Sequence, residues 1–429
     1  MWRPVFFLGL CPTSKPLQCF NAPRDISGQK KHGGGFPFVG GSGSLHPMTL
    51  TNSDIAELIT LRRDLHRTPE LSGEEAGTAK RILFALSPFR PDDLITGLGG
   101  HGIAVVYEGA EPGPTVLFRC ELDALPIHET GTPDYRSETD GKGHLCGHDG
   151  HMAIVTGLAR RLSRQRPAKG RAVLLFQPAE ETGAGAAEVI ADPHFAQIAP
   201  DYAFSLHNMP GLPLGAIGLT EGPVNCASRG LHLTLSGKAA HASNPESGTS
   251  PMAAVSSLMP ALTNLSQCTL PDPDFKLVTV THLRMGEPAF GIAPGEATLY
   301  ATLRTLTDDG MDDLVNDALT LITHSASHHG LTASHTFEDV FLHSENDPEA
   351  TALLRRALDT LKIPHDTSGQ PWRASEDFGR FGHAAKSAMF LLGAGETHAA
   401  LHNPDYDFPD DLIAPAVRIF EQVARDLLG

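Results

Sequence analysis

Short apolar segments alternate with helical segments through the first half of this chain, and this alternation constrains the fold more than any other feature. Four segments have the length and apolar content of buried strands: residues 103–107, 115–118, 172–176 and 202–206. Helical periodicity lies between them, as in residues 152–162. Apolar strands separated by helices predict a mostly parallel sheet flanked by helices, and therefore an α/β fold.

A different order of elements occupies residues 229–344. This stretch reads as strand, helix, strand, strand, helix and strand, which is the order of a ferredoxin-like α+β sandwich. Strand and helix patterns of the first type return at residues 388–392 and 413–428. We therefore predict a discontinuous catalytic domain, residues 48–228 and 345–429, with an inserted ferredoxin-like domain between its two parts.

The first 47 residues differ from the rest of the chain. An apolar run from Val5 to Leu10 precedes Gly-rich stretches, and no clear Ala-x-Ala cleavage site follows it. We interpret residues 1–47 as a disordered extension, with Met48 beginning the folded part, and a targeting signal is the alternative. Amphipathic periodicity then predicts a first helix that starts at a Ser53-Asp54 cap.

Charge and cysteine spacing restrict the partners and the compartment. The 429 residues carry a formal charge of −17, from 50 acidic and 33 basic residues, which disfavours binding to nucleic acid or to an anionic membrane. No apolar run is long enough to cross a bilayer. The six cysteines are far apart, unlike those of a secreted disulfide scaffold. We expect a cytoplasmic protein.

Residues His144 to His151 place one thiol and three imidazoles within eight positions. Cysteine and histidine supply the sulfur and nitrogen ligands of borderline-soft divalent metals. Cys146 and His148 are two positions apart, so an extended or looped backbone directs both side chains the same way. The octet predicts a metal site, and a His-rich surface loop beside one buried cysteine is the alternative.

Further reactive side chains follow the predicted strands, and open parallel sheets bind ligands at the carboxyl ends of their strands. The metal-ligand candidates brought to this edge are Cys146, His148, Glu181, His207 and His402. One sulfur, three imidazoles and one carboxylate can hold two divalent ions if a ligand or a water is shared. Zinc suits this set best, and manganese and cobalt are alternatives.

The adjacent carboxylates Glu180 and Glu181 directly follow the strand at residues 172–176. Two neighbouring carboxylates repel each other unless a cation or a proton separates them, so one can bind metal while the other carries a proton. A solvated acidic pair at a helix N-terminus is the alternative. The preceding buried strand and the trailing Gly183 and Gly185 favour the functional interpretation.

Seven motifs, in order, resemble those of the hippurate hydrolase, aminoacylase and auxin-conjugate amidohydrolase family of dinuclear metallopeptidases. The resemblance covers residues 53–429. The motifs are Glu121–Glu129, His144–His151, Phe176–Glu181, Leu206–Pro210, Gly237–Ala242, Ser375–Phe378, and Leu401–Pro404 with Asp407-Phe408.

The resemblance implies a role for each matching residue. Glu180 would be the general base, and Asp123 would orient a ligand imidazole. The inserted domain would mediate a homodimer or higher homo-oligomer, and His241 would reach the neighbouring subunit's site to stabilise the oxyanion. The implied metal ligands are Cys146, His148, Glu181, His207 and His402.

Two departures from the family pattern concern the substrate. Gly291-Ile-Ala-Pro294 stands where the family often has Asn-Val-Ile-Pro, which removes an amide able to bind the substrate's carboxylate. Gly248-Thr-Ser-Pro251 replaces the more common Gly-Ile-Asp-Pro. Arg304 remains as a bidentate clamp for a carboxylate, and a surface salt bridge is its alternative role.

These observations predict a metal-dependent amidohydrolase. Its substrates would be N-acyl amino acids with an aromatic or short aliphatic acyl group, cleaved to a carboxylic acid and a free amino acid. A dipeptidase or carboxypeptidase is the alternative within enzymes. A non-catalytic metal-binding protein is less consistent, because a structural zinc site needs four ligands and no spare base.

Overall fold

The structure, a computed structural model, describes residues 49–429. The predictions for residues 1–47 lie outside the described residues. The helices are α1 (Asn52–Arg67), α2 (Ala76–Leu86), α3 (His148–Arg164), α4 (Gly185–Ala191), α5 (Met252–Thr263), α6 (Asp308–His328), α7 (Pro348–Leu361) and α8 (Ile413–Leu428). Short 3-10 segments include Asp377–His383.

The strands pair into two larger sheets and two short ribbons. They are β1 (Asp93–Leu98), β2 (Gly102–Glu108), β3 (Glu111–Glu121), β4 (Lys169–Gln177), β5 (Tyr202–Pro210), β6 (Ile217–Gly218), β7 (Gly222–Asn225), β8 (Ala227–Ser236), β9 (Ala240–His241), β10 (Lys276–Met285), β11 (Ile292–Ala293), β12 (Glu296–Thr305), β13 (Thr332–Phe341), β14 (Ser344–Asn346), β15 (His365–Asp366) and β16 (Lys386–Gly395).

The larger sheet has eight strands in the order β1-β2-β4-β3-β5-β16-β6-β15. Its four central strands β4, β3, β5 and β16 run parallel to one another, which confirms the predicted mainly parallel sheet. The prediction was wrong in treating β2 like the others, since β2 is antiparallel to both β1 and β4. The reason is that no helix separates β1, β2 and β3, so no crossover makes them parallel.

Helices cover both faces of this sheet. On one face, Phe118 of β3 and Phe204 of β5 pack in the core that α1, α3 and α8 complete. On the other face, Leu117 lies in a second core with Val189 of α4. Because neighbouring residues of a strand point to opposite faces, burial of both explains why these strands read as continuous apolar runs.

The first helix begins two residues earlier than predicted. Thr51, not Ser53, is the N-cap: its hydroxyl accepts a hydrogen bond from the Asp54 amide at 3.2 Å. Asp54 in turn accepts from the Thr51 amide at 2.8 Å. This reciprocal pair is a capping box, in which the acidic residue is the third helical position and not the cap.

The segment that holds β8, α5, β10, β12, α6 and β13 forms an antiparallel four-stranded sheet in the order β10-β12-β8-β13. Side chains of α5 and α6, such as Leu258 and Leu314, pack on one face in a core separate from those of the larger sheet. The elements occur in the predicted order. The ferredoxin-like classification of residues 229–344 stays a prediction.

Between residues 49 and 429, none of the helices has the length and apolar content needed to cross a membrane. The four cysteines in this part, Cys120, Cys146, Cys226 and Cys268, are free thiols, and three of them are buried. The other two cysteines of the sequence fall outside the described residues.

Candidate active site

Two groups of potential metal donors share the Cys146 thiol. One group joins Cys146 with His148 and His207, and the other joins it with Glu181 and His402; within each group the ligand atoms lie within 4.8 Å of one another. Cys146 Sγ is 3.5 Å from His207 Nε2, and Glu181 Oε2 is 3.6 Å from His402 Nε2. The structure therefore brings together all five donors named from the sequence, with the sulfur between the two groups.

Gly147 positions the first of these donors. It adopts φ 90°, and a Cβ added there would lie 2.4 Å from Asn208 Oδ1, so this position requires glycine. The turn at Gly147 leaves Cys146 outside α3 and makes His148 the first helical residue. The predicted helix began at Met152, one turn too late. The residues of its first turn belong to the Gly-containing octet, which was interpreted as a loop.

His148 presents an unpaired nitrogen to the carboxylates. Its Nδ1 donates to the Asp123 carbonyl oxygen at 2.9 Å, which leaves Nε2 facing Glu180 Oε2 at 3.8 Å and Glu181 Oε1 at 3.9 Å. Both His148 Nε2 and Glu181 Oε1 are buried without a hydrogen-bond partner in the described residues. Buried polar atoms are rarely left unpaired, so this arrangement fits a bound cation.

Asp123 forms hydrogen bonds with two of the predicted donor residues, His148 and Glu181. Besides its carbonyl contact with His148, its carboxylate accepts hydrogen bonds from the Ser72 hydroxyl at 2.7 Å and from the Glu181 amide at 2.9 Å. Burial raises the pKa of Asp123, but the hydrogen bond and charge of His148 outweigh it and lower that pKa overall. Asp123 therefore contacts two of the five predicted donor residues, His148 and Glu181.

Glu180 lies in a buried acidic cluster. Its carboxylate comes within 4.8 Å of those of Glu376 and Asp377. Burial and the charges of Glu376, Glu181 and Asp377 raise the pKa of Glu180 well above its ordinary value. A carboxylate with such proton affinity is suited to accept and return a proton.

Arg119 supplies the cation that holds this cluster together. Its guanidinium contacts Glu376 at 2.9 Å and Asp377 at 2.5 Å, and it also pairs with Glu121. Sequence reasoning placed Glu376 and Asp377 in a motif without a role and missed Arg119. The motif was the only sequence signal for Glu376 and Asp377. Arg119 gave no signal, because an arginine within an apolar strand is not recognisable as a site residue from the sequence.

His207 and His402 differ in exposure. His207 is buried on β5, and burial, followed by the charge of His151, lowers its pKa well below the ordinary value, which keeps the ring neutral. A neutral imidazole is the ligand form. His402 has φ 64° and a side chain that is 49% exposed, and its amide donates to the Leu145 carbonyl oxygen at 2.8 Å. The second donor group is therefore the one open to solvent.

The donors open into a cavity of about 580 Å³ between the two larger sheets. Arg304 lines it from β12, and its Nη1 donates to Ser375 Oγ at 2.9 Å. Trp372 also lines it, with its ring centroid 5.0 Å from that of His207. Further lining residues from the four-stranded sheet are Ser228, Gly230, Thr302, Asp339 and Phe341.

Comparison with known proteins accords with this geometry. The model of peptidase family M20/M25/M40 matches residues 117–426, which is more than half of the chain. The chain belongs to peptidase family M20/M25/M40.

Relatives of this M20 chain include an N-acetyl-L-cysteine deacetylase of Bacillus subtilis (strain 168), which is 32% identical over 394 residues, covering 89% of this chain and 91% of the relative. An IAA-amino acid hydrolase ILR1-like 5 of Arabidopsis thaliana is 29% identical over 82% of this chain and 81% of its own length. Among solved structures, the Bacillus subtilis YXEP protein, described as a dinuclear metal-binding peptidase of the M20 family, has a TM-score of 0.74 at 26% identity, covering 88% of this chain and 99% of that chain.

His241 lies outside the cavity of this M20 chain. The residue is exposed on β9, which pairs with β11, and its Nδ1 contacts the Ser243 hydroxyl at 2.8 Å. It does not line the cavity that contains Cys146 and Glu180. Within one subunit the structure thus leaves His241 apart from the donors, and its expected action on a neighbouring subunit stays a prediction.

A larger cavity of about 990 Å³ lies between α1, α2 and α3, lined by residues such as Phe84 and Arg164. It contains none of the predicted site residues. By size alone, this cavity would be the candidate active site. The convergent donors and the carboxylates with shifted pKa values instead favour the smaller cavity.

A buried polar network behind α3 was also missed. Arg62 is fully buried and contacts Asp149 at 3.3 Å and Asp407 at 2.6 Å. His66 contacts Asp149 at 2.9 Å and Glu129 at 3.3 Å. These contacts join α1 to the start of α3 and to the segment after His402. Because the partners are far apart in the sequence, the sequence alone did not predict them.

Proposed function

We propose that this M20 enzyme is a metal-dependent amidohydrolase that cleaves N-acyl amino acids to a carboxylic acid and a free amino acid. The observation that carries the proposal is the pair of donor groups sharing Cys146, with Glu180 beside them and the cavity opening toward Arg304. The names of the relatives, a deacetylase of N-acetyl-L-cysteine and a hydrolase of IAA-amino acids, support the same reaction class.

The donor set fits two divalent ions. Cys146, His148 and His207 would hold one, and Cys146, Glu181 and His402 the other. Zinc is the proposed metal because of the thiolate and imidazoles, and manganese and cobalt are alternatives. Such ions supply Lewis acidity, which lowers the pKa of water and polarises a carbonyl oxygen.

Glu180 is the proposed general base. Its buried carboxylate lies 3.8 Å from His148 Nε2, at the edge of the donor set, where it can take a proton from the attacking water. It then returns that proton to the nitrogen of the leaving amino acid. Asp123 acts through its contacts with His148 and Glu181, which keep both donors aligned.

Arg304 is the proposed partner of the substrate's α-carboxylate. It is half-buried and lines the same cavity as the donors, and desolvation lowers its pKa. A guanidinium can bind a carboxylate with two parallel hydrogen bonds. Gly291, where the family often has an asparagine, does not line this cavity, so Arg304 would bind the carboxylate without that amide.

We further propose a homodimer, or a higher homo-oligomer, that uses residues 229–344 as its dimerisation and lid domain, within the cytoplasm. His241 would stabilise the oxyanion of the partner's site. Mixing inactive His241→Ala and Glu180→Gln subunits tests this, because a mixed dimer retains one site that has both groups intact. Recovered turnover supports the proposal, and no recovery in verified mixed dimers contradicts it.

The deciding experiment is a substrate panel with metal-reconstituted enzyme, read out as amine release. N-benzoyl and N-acetyl amino acids should be hydrolysed faster than unblocked dipeptides. Preference for the dipeptides would indicate a dipeptidase instead. No turnover of any amide by fully metal-loaded enzyme would contradict the proposed reaction.

A further inference from the structure

Asp339 enters the cavity through an irregularity in β13. Glu338 pairs with Gly230 of β8, and Phe341 pairs with Ser228, so β13 has one residue more than β8 in this interval. Asp339 adopts φ 48°, in the left-handed region. Bulges of this kind redirect side chains near functional sites. In a regular strand, Asp339 and Glu338 would face opposite sides of the sheet. Because of the extra residue, Asp339 instead lines the cavity, as does Gly230, the partner of Glu338.

Within the described part of the chain, the Asp339 carboxylate has no compensating partner. Asp339 is exposed, and loss of part of its solvation, followed by the charge of Glu338, raises its pKa, while no cation or hydrogen-bond donor from residues 49–429 offsets this. Glu338 itself has a partner, since its Oε1 lies 3.4 Å from His232 Nδ1. The cavity wall therefore carries an uncompensated negative charge at Asp339.

Arg304 and Asp339 lie two strands apart on the same wall of the cavity. Arg304 pairs with Ser228, which pairs in turn with Phe341, so two strand spacings separate β12 from β13. That is roughly 9–10 Å between the backbones of the two strands, and Nη1 of Arg304 donates to Ser375 Oγ and not to Asp339. Both residues belong to the four-stranded sheet and face the same cavity.

We propose that Asp339 binds an alkylammonium group on the amino-acid half of the substrate, so that the substrate class is the Nα-acyl derivatives of basic amino acids such as lysine and ornithine. The inference rests on the proposed function, since it takes Arg304 as the partner of the α-carboxylate. Because Arg304 and Asp339 lie on one sheet, the ammonium belongs to the same half of the substrate as that carboxylate.

The test compares Nα-acetyl-L-lysine with Nα-acetyl-L-norleucine, which lacks the ammonium. Metal-loaded wild type should hydrolyse the lysine derivative with a kcat/KM about fivefold higher, the upper end of what one exposed ion pair contributes. Asp339→Asn should abolish that preference through KM and leave the norleucine derivative unchanged. Asparagine tolerates the left-handed region as aspartate does, so the bulge is kept. Glu338→Gln, which alters the neighbouring charge outside the cavity lining, should keep the preference.

The outcomes separate this inference from the proposed function. Equal turnover of both derivatives, with no effect of Asp339→Asn, overturns the inference and leaves the amidohydrolase assignment standing. Absence of turnover of either derivative and of every other N-acyl amino acid contradicts the assignment itself. If Asp339→Asn instead weakens only an unblocked dipeptide such as L-alanyl-L-norleucine, the carboxylate binds the acyl half and the inference is wrong.

Discussion

The two sides of the active-site cavity differ in burial and in how firmly their side chains are held. On the side of the eight-stranded sheet, Cys146 is 6% exposed and His148 is fully buried, and His148 is oriented by Asp123. On the side of the four-stranded sheet, Asp339 is exposed and has no partner in the described residues, and Arg304 is half-buried. In the proposed mechanism, the buried side therefore fixes the reacting groups before substrate arrives, and the open side selects the substrate.

Replacement of the base on the buried side should have the largest effect. Glu180→Gln keeps the shape of the side chain but cannot accept the proton, so kcat should fall by about 10²- to 10⁴-fold. Metal content, measured by elemental analysis, should remain at two ions per subunit. Retained turnover at full metal content would remove Glu180 from the mechanism.

Replacement of the shared donor comes next. Cys146→Ser should lower the metal content of both donor groups to below one ion per subunit and reduce turnover accordingly, because the thiol belongs to both. The exposed Cys268 provides the matched control, and Cys268→Ser should leave both measurements unchanged. Loss of a single ion with the other bound normally would show that Cys146 serves only one group.

A smaller effect is expected on the open side. Arg304→Met should raise KM for N-acyl amino acids by about 10- to 100-fold, the scale of a hydrogen bond to a charged group, with little change in kcat. The matching substrate is an N-acyl amine without the carboxylate, on which the variant should behave as wild type. A fall in kcat with unchanged KM would place Arg304 among the reacting groups.

The last expected effect concerns the stability of the buried side and not turnover. Burial lowers the pKa of His66, but the charge and hydrogen bond of Asp149 and the hydrogen bond of Glu129 raise it from 6.5 to about 9. A raised pKa stabilises the fold fully below about pH 6.5, and this contribution is lost as pH rises to about 9. In urea titrations of metal-free protein, His66→Gln should cost up to about 3 kcal/mol at pH 6 and progressively less toward pH 9. A pH-independent difference would contradict this.

The sequence predicted those features of the fold and of the candidate site that depend on residues close together in the chain. The parallel central strands followed from continuous apolar runs. The five donor candidates were named from the octet around Cys146 and His148 and from the residues after the strands; the structure brings them together, and their role as metal ligands stays a prediction. The limits of α1 and α3 were wrong because capping depends on backbone geometry: Thr51 caps a helix that Ser53 could equally have begun, and Gly147 ends a turn that reads as a loop.

What the sequence did not predict depends on distant contacts. The contact of Arg119 with Asp377 joins residues 258 positions apart, and that of Arg62 with Asp407 joins residues 345 apart. Neither has a periodic signal. The cavity position of Asp339 depends on a one-residue bulge, which pattern alone cannot register.

The conformation of Gly147 has a consequence for natural variation in this protein. Gly147→Ala would add a methyl group 2.4 Å from Asn208 Oδ1, and Asn208 cannot withdraw freely because its Nδ2 donates to the Tyr406 hydroxyl at 2.6 Å. In a saturation mutagenesis survey, position 147 should therefore tolerate as few amino acids as the donors beside it, although its own side chain is a single hydrogen atom. Intolerance at such a position would report backbone geometry and not chemistry.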